Sequence, residues 1–143
     1  MTTNTVQLQR ILKASAERVY RLYADLTTWP QWDPAVLEVS LPAGLQAGSA
    51  GWLRAQGGPR TRIRVHEVSD AQSFTVASDL PGCKMLFGHT LKAVAGGVRA
   101  THTLSFAGPL AFVFRRLLGA KIAGTLPAAL QGLKSMSETH VSV

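Results

Sequence analysis

The chain begins with a short strand-like run that is followed by an apolar stripe of helical spacing. Val6 to Leu12 read as a first β-strand. Apolar side chains then recur at i, i+3, i+4 and i+7, at Val19, Leu22, Tyr23 and Leu26. Ser15 is placed to cap this helix, and Glu17 puts a negative charge at its positive end. The pattern therefore predicts a capped amphipathic helix directly after the first strand.

A turn rich in proline and tryptophan ends this helix. Pro30 and Pro34 stop its continuation, because proline has no amide hydrogen and its ring clashes with the preceding turn. Trp29 and Trp32 place two large apolar side chains beside the stop. We predict a short helical turn around Thr28 to Trp32, which together with the Ser15 helix closes one end of the domain.

Six further segments carry the alternation and the bounding turn residues of β-strands. Small turn residues separate three pairs of neighbours, at Gly57-Gly58, Pro81-Gly82 and Gly96-Gly97. Closely spaced strands with short turns predict an antiparallel meander, and a sheet with one solvated face needs an apolar cover on the other. The predicted segments are Val36 to Leu41, Ala50 to Gln56, Arg60 to Val68, Ser73 to Asp79, Lys84 to Val94 and Val98 to Phe106.

The apolar cover is the last part of the chain. A helical pattern follows Gly108-Pro109 and extends nearly to His140, and Pro127 should divide it into helices over about 110–124 and 126–139. We predict an α+β helix-grip fold, a curved antiparallel sheet of six to seven strands wrapped around a long, proline-kinked C-terminal helix. One or two short helices follow the first strand, and residues 1–143 form a single domain. The apolar helical positions are Leu110, Val113, Phe114, Leu117, Leu118, Ile122, Leu126, Ala129, Leu130, Leu133 and Met136.

Composition narrows the class of protein. With 143 residues, of which 46% are apolar and 16% charged, the chain is long enough for a core and too apolar for a disordered segment. No apolar run is long enough to span a bilayer, and the N-terminal residues lack the apolar core of a secretion signal. The single cysteine, Cys83, excludes an internal disulfide framework and is typical of a reducing compartment. We expect a soluble cytoplasmic protein.

The net charge of +7 raises the question of a nucleic-acid partner. The arginines are scattered over many predicted elements, and the densest run, Arg60, Arg62 and Arg64, alternates along one strand face. That pattern is typical of a solvated sheet face. A binder of single strands would interleave exposed aromatic side chains with the stripe, and none does so here. We therefore expect no nucleic-acid partner.

Three segments together resemble a known superfamily. They are Ala14 to Tyr20 (ASAERVY), Trp29 to Pro34 (WPQWDP) and Leu126 to Lys134 (LPAALQGLK). In order and spacing they resemble the START-like superfamily, also called SRPBCC or helix-grip, and particularly its small bacterial polyketide cyclase/dehydrase-type members. The similarity covers almost the whole chain and implies a deep pocket between the sheet and the terminal helix. It implies no invariant catalytic residue, because this fold hosts lipid carriers, cyclases, hydrolases and cochaperones.

A histidine pair is the strongest candidate for chemistry. His89 shares an apolar strand face with Phe87, and His102 shares one with Leu104, so both histidines should point inward. A two-residue turn at Ala95-Gly96 would place them directly opposite each other, whereas a turn one residue later would leave them diagonal. They are either core histidines bonded to each other, to a neighbouring threonine or to water, or they line a ligand pocket as candidate catalytic groups.

Lys121 is the second candidate, because it falls on the same predicted helical face as Phe114 and Leu117. Its ammonium group either reaches the rim of the domain or pairs with an acidic group of a ligand at the pocket mouth. No motif brings further ligands to the histidines or a base to Cys83, so we predict no metal, cofactor or catalytic thiol. The predicted ligand-binding residues, for whose aromatic members plain core packing is the competing interpretation, are Tyr23, Trp32, Trp52, Phe74, Met85, Phe87, His89, His102, Leu104, Phe114, Leu117 and Lys121.

Four hypotheses of function follow. The first is binding, with transport as an extension, of a hydrophobic small molecule such as a lipid, a quinone or an aromatic polyketide. The second is a polyketide cyclase, dehydratase or hydrolase that uses His89 or His102 as general acid or base. The third is a cochaperone-like interaction domain whose cavity is filled by bulky side chains. The fourth is membrane-surface contact through Pro109 to Phe114 beside Arg115 and Arg116, although most of that run should bury against the sheet.

Overall fold

Over residues 5–139, which the computed structural model describes, seven strands form one curled antiparallel sheet. The strands are β1 (Thr5–Leu12), β2 (Val36–Ser40), β3 (Ala50–Ala55), β4 (Arg60–Ser69), β5 (Ser73–Leu80), β6 (Cys83–Val94) and β7 (Gly97–Ala107). Their spatial order is β1-β7-β6-β5-β4-β3-β2, so strands from β2 to β7 pair with their neighbours in the chain and β1 lies at the edge beside β7. The predicted meander is confirmed.

The helices begin and end close to the predicted residues. They are α1 (Ala16–Ala24), α2 (Trp29–Trp32), α3 (Ala111–Ala123) and α4 (Leu126–Thr139), with a 3-10 turn at Leu26–Thr28. Ser15 caps α1 as predicted, since its Oγ accepts a hydrogen bond from the amide of Arg18 at 3.1 Å. The C-terminal helix bends by 39°. The break lies at residues 124 and 125, so Pro127 lies in the first turn of α4, where a missing amide hydrogen costs little.

One half of the concave face is closed by α4, together with α1 and α2, and we call it the sealed half. Leu133 and Leu130 of α4 are 0% and 1% exposed. The backbones also approach closely, because a Cβ at Gly132 would run into the carbonyl oxygen of Trp32 in α2. The buried residues of the sealed half include Leu12, Val19, Tyr20, Tyr23, Trp29, Trp32, Phe74, Leu91, Val98, Ala100, Ala129, Leu130 and Leu133.

The other half of the concave face lies beneath α3, and we call it the α3 half. Its buried residues are Cys83, Met85, Leu104, Phe106 and Ala111, and the partly buried ones packed against them are Leu80, Phe87, Phe114, Leu118 and Ile122. The apolar residues here are therefore less completely covered than those of the sealed half.

The prediction that most of Pro109 to Phe114 buries against the sheet is wrong. Leu110 is 41% and Phe112 is 64% exposed. Leu117, which the helical pattern assigned to the covered arc, is 70% exposed. The physical reason is that apolar residues occupy more of the circumference of α3 than one sheet face can cover.

Candidate functional site

The two candidate histidines lie directly opposite each other on neighbouring strands. His89 of β6 pairs with His102 of β7, and their ring centroids are 4.6 Å apart. The hairpin achieves this register with the two-residue turn at Ala95-Gly96, where Gly96 adopts a φ of 83° that suits glycine. Of the two registers that the sequence left open, the directly opposed one is confirmed.

His102 is part of the packed core. Its side chain is 2% exposed, and its Nε2 lies 2.8 Å from the hydroxyl oxygen of Tyr23, a fully buried residue of α1. A buried imidazole whose nitrogen is paired in this way is satisfied without any ligand. This arrangement favours a structural role for His102, which holds α1 against the sheet.

His89 has a different environment. Its ring stacks on Phe74 with centroids 4.0 Å apart and an interplanar angle of 3°, and its Nδ1 lies 3.4 Å from the carbonyl oxygen of Phe74. Although aromatic rings surround it, the residue keeps part of its surface accessible, as does Phe87 two residues before it on the same face. His89 is therefore a partly exposed residue at the border between the sealed half and the α3 half, and its ring packs against the aromatic side chains of the sealed half.

Burial keeps both imidazoles neutral at pH 7. It lowers the pKa of His89 to about 4, against an ordinary value of 6.5. Burial also lowers the pKa of His102 well below its ordinary value, and the neighbouring His89 adds a smaller lowering effect. Neutral histidines accept and donate hydrogen bonds, but they are poor general acids near pH 7. The pair is thus better suited to contacting a polar group of a ligand than to supplying a proton.

The remaining predicted residues separate into three groups. Tyr23, Trp32, Phe74, Met85 and Leu104 are each at most 7% exposed and pack within the two core clusters. Phe87 and Phe114 are partly buried in the α3 half. The third group consists of Leu117 and Lys121, which are exposed on α3.

Trp52 requires a correction, because it does not line the concave face. It pairs with Arg62, on the face of the sheet opposite to that of Ile63 and Ser78. The guanidinium of Arg60 lies over its ring in a cation–π contact, 4.0 Å from the ring centroid. Sequence alternation alone assigned no face to β3, whereas pairing with β4 does.

A groove along α3 contains residues that the sequence analysis missed. Its volume is about 520 Å³, within the range of small-molecule sites, and mostly apolar atoms line it. Gly119 and Ala123 lie one turn apart on α3. Because Gly119 has no side chain and Ala123 has only a methyl group, space remains between the helix and the edge strand β1. Small residues at i and i+4 were the signal for it in the sequence. The lining residues, which we call the α3 groove, are Val6, Phe112, Arg115, Arg116, Gly119, Ala120 and Ala123.

The arginine stripe of β4 lies on the convex face of the sheet. Arg64 pairs with Asp79 at 3.3 Å, and on β3 Arg54 pairs with Glu38 at 3.5 Å. An open depression of about 700 Å³ lies there as well, bordered by Trp52, Arg60 and Arg62. Partial pairing with carboxylates and broad exposure are typical of a solvated sheet face.

Within residues 5–139 no three His, Cys, Asp or Glu side chains are grouped so that they could hold a metal ion. Cys83 is a buried thiol, and burial raises its pKa. No helix of the described part of the chain is long and apolar enough to cross a membrane.

The sequence of residues 3–138 matches the family model described as "Polyketide cyclase / dehydrase and lipid transport". The chain belongs to this family. The predicted resemblance to the START-like superfamily is confirmed by this match over nearly the whole chain. The description of the polyketide cyclase/dehydrase and lipid transport family joins catalysis with transport, so membership does not decide between them. No curated protein matches the chain significantly.

Solved structures share the fold at low sequence identity. Protein MLL2253 from Mesorhizobium loti superposes with a TM-score of 0.76 at 17% identity, covering 95% of this chain and 98% of that one. Protein jhp0584 from Helicobacter pylori reaches 0.75 at 15% identity, covering 96% and 89%. DynU16, a protein of the dynemicin biosynthetic locus, reaches 0.69 at 17% identity, covering 95% of this chain and 49% of that one. These similarities concern the fold of the family alone.

Proposed function

We propose that this protein binds a hydrophobic small molecule, such as a lipid, a quinone or an aromatic polyketide, beneath α3 and carries it in the cytoplasm. The observation that carries the proposal is the incomplete covering of the α3 half, with the α3 groove of about 520 Å³ beside it. Apolar surface that stays accessible inside a fold gains free energy when another apolar body covers it. The family description, which names polyketide enzymes and lipid transport, supports the same class of ligand.

The proposed contacts lie on two sides of the bound molecule. Phe87 and His89 form the sheet side, and Phe114 and Leu118 form the helix side, all partly accessible. Met85 and Leu104 pack behind them, and the α3 groove serves as the mouth. Neutral His89 offers a hydrogen bond to a ligand carbonyl or hydroxyl, which orients an otherwise apolar molecule. Tyr23, Trp32, Phe74 and His102 support this site from the sealed half.

A binding titration with a matched pair of variants tests the proposal. The fluorescent fatty acid cis-parinaric acid is titrated into the wild type, Ala123→Phe and Ala128→Phe. Ala123 lines the groove, whereas Ala128 is exposed on α4 and receives the same change. We expect saturable binding to the wild type and to Ala128→Phe, and at least ten-fold weaker binding to Ala123→Phe. Equal affinities of the two variants would place the probe elsewhere and contradict the proposal.

Native mass spectrometry of the freshly purified protein identifies the bound ligand by its mass. We expect a bound species in the size range of a lipid, quinone or polyketide, which is released on denaturation. The same measurement on Ala123→Phe should show that species reduced or lost. A bound species of peptide nature would favour an interaction domain instead.

The second candidate is an enzyme of the polyketide cyclase, dehydratase or hydrolase type. The observation that favours it is the close pair of imidazoles, whose centroids are 4.6 Å apart beside the Tyr23–His102 hydrogen bond. Because burial lowers the pKa of His89 to about 4, a rate that depends on His89 as a base should fall below about pH 4 rather than near pH 6.5. Loss of turnover in His89→Ala with unchanged cis-parinaric acid affinity would favour the enzyme over the carrier.

A further inference from the structure

The outward side of α3 is apolar where a surface helix is normally polar. Phe112 and Leu117 are 64% and 70% exposed, and Leu110, directly before the helix, is 41% exposed. Of the four large apolar residues found exposed in the described part of the chain, these are three. They lie within eight residues of each other, at the start and in the first half of α3.

The other exposed side chains of α3 are cationic or small. Arg116 and Lys121 lie on the same outward arc as Phe112, Leu117 and Ala120. No acidic side chain accompanies them: between Leu80 and Ser137 the sequence has seven Lys or Arg and no Asp or Glu. Most of the net charge of the protein therefore belongs to the part of the chain that contains α3.

α3 is a helix of 13 residues that exposes Phe and Leu beside Arg and Lys, which are the residue types that contact a lipid interface. The apolar side chains enter the boundary between headgroups and acyl chains. The cations contact phosphate groups of the headgroups, because an anionic surface attracts basic residues close to it.

We propose that the outward face of α3 docks this protein on an anionic phospholipid surface. Leu110, Phe112 and Leu117 insert at headgroup depth, and Arg116 and Lys121 pair with lipid phosphates. A second copy of the chain fits this face less well, because a symmetric contact through α3 would bring the cations of both copies together with no carboxylate on the face to pair with them. The proposal goes beyond ligand binding and does not depend on it. Phe112 and Arg116 also line the α3 groove, whereas Leu110, Leu117 and Lys121 do not.

Vesicle flotation tests the docking directly. The wild-type protein is mixed with vesicles of phosphatidylcholine alone and of phosphatidylcholine with 30% phosphatidylglycerol, at about 0.1 M and 0.5 M salt. We expect binding to the anionic vesicles at low salt, at least ten-fold weaker binding to the neutral ones, and a clear loss at high salt. Equal binding to both vesicle types, or none to either, would overturn the proposal.

Paired variants separate docking from general basic charge. Phe112→Ser with Leu117→Ser removes the inserting side chains, and Arg116→Gln with Lys121→Gln removes the cations. The control, Arg60→Gln with Arg62→Gln, removes the same charge from the convex face, where both residues are exposed. We expect each α3 pair to lower vesicle affinity at least ten-fold and the control to leave it within two-fold. An equal loss in the control would overturn the proposal by showing that net charge alone acts.

Two further measurements separate membrane docking from self-association and from ligand binding. Sedimentation equilibrium of the wild type and of the Phe112→Ser, Leu117→Ser protein measures self-association. A dimer of the wild type that becomes a monomer in this variant would show that a second copy of the chain, and not a membrane, occupies the face. Titration of cis-parinaric acid without vesicles into the variant Leu117→Ser with Lys121→Gln, whose two residues do not line the α3 groove, reports ligand binding separately. Lost flotation with retained probe binding in this variant supports docking as an independent property. Flotation of the wild type without any probe binding contradicts only the proposed carrier function.

Discussion

The two helices that cover the concave face have similar lengths, 13 and 14 residues, yet they cover it very differently. α4 buries Leu126, Ala129, Leu130 and Leu133 to 7% exposure or less. The buried residues of α3 are instead its small ones, Ala111 and Gly119. The large residues that α3 packs against the sheet, Phe114, Leu118 and Ile122, are only partly buried. The fit between a helix and the sheet, and not the apolar content of the helix, therefore decides whether the helix seals that face.

Polar contacts reinforce the same difference. The Nε of Arg18 in α1 donates to the carbonyl oxygen of Ser137 at 2.6 Å, and the amide of Lys13 donates to the Oε2 of Glu138 at 2.8 Å. Lys134 also pairs with Glu138 at 2.6 Å, one turn away on α4. α4 is therefore tied to the strand–helix junction at the start of the chain, and we expect it to unfold only with the whole domain.

The largest expected effect comes from shortening one leucine on each helix. Leu133→Ala should lower the free energy of unfolding by about 3–4 kcal/mol, because Leu133 is 0% exposed and leaves a cavity. Leu118→Ala, on partly accessible α3, should cost only about 1 kcal/mol. Urea unfolding at neutral pH measures both. Similar losses would mean that the α3 half is as tightly packed as the sealed half.

Adding a methyl group gives the converse comparison. Gly132→Ala should destabilise the protein by about 2–3 kcal/mol, because its Cβ would collide with the carbonyl oxygen of Trp32. At Gly119 the same Cβ meets Phe106 at 3.9 Å and the flexible Arg115 at 3.4 Å. Gly119→Ala should therefore be neutral or stabilising by up to about 1 kcal/mol, through its better helix propensity. A destabilised Gly119→Ala protein in thermal unfolding would argue against free space beside α3.

Acidification should lower the free energy of unfolding through the histidine pair at the border between the two halves. The folded pKa of His89 is about 4, below the ordinary 6.5, and that of His102 is also lowered, so the unfolded chain takes up more protons as the pH falls below 6.5. Their contribution to stability is complete above pH 6.5 and is lost at roughly 1.4 kcal/mol per pH unit per histidine down to the folded pKa.

Protonation of Asp33 has the opposite effect on the free energy of unfolding over part of this pH range. Burial raises its pKa to about 6 from 3.8, so its protonation stabilises the folded state as the pH falls from 6 to 3.8. Two histidines outweigh one carboxyl, so urea unfolding should show a net loss of about 2–3 kcal/mol between pH 6.5 and 5. Asp33→Asn should steepen the loss below pH 6, and His89→Phe should reduce it. A wild type with pH-independent stability over this range would contradict the burial of the pair.

The smallest expected effect concerns one hydroxyl group in the sealed half. Tyr23→Phe should cost about 1–2 kcal/mol, because it leaves the Nε2 of buried His102 without its partner at 2.8 Å. Tyr20 provides the control, since its buried hydroxyl has no hydrogen-bond partner within the described residues. Tyr20→Phe should be neutral or slightly stabilising in the same urea titration. Equal effects would remove the structural role that we assign to the Tyr23–His102 bond.

Much of the fold was predictable because its signals are local. The capping of α1 by Ser15, the strand alternation and the turn at Ala95-Gly96 depend on neighbours a few residues apart. The inward direction of His89 and His102 followed from the same alternation. What they contact did not follow, because Tyr23 comes from a helix 79 positions away in the chain.

The errors share one physical cause. Leu110, Leu117 and Trp52 were assigned to the interior because they are large and apolar, and all three lie elsewhere. The hydrophobicity of a side chain shows that its burial is favourable in free energy, but only the tertiary packing determines whether a neighbour is present to bury it. The α3 groove was missed for the same reason, since its space arises from two small residues, Gly119 and Ala123, opposite an edge strand.

The sequence by itself determined the order of the elements, the antiparallel meander, the break in the C-terminal helix and the family, all of which depend on local periodicity, turn residues and short motifs. The tertiary structure alone decided that α4 seals its half of the sheet while α3 does not, and that His102 is paired with Tyr23 while His89 stacks on Phe74. Those distinctions depend on which side chains from distant parts of the chain meet and how well their shapes fill the space between them.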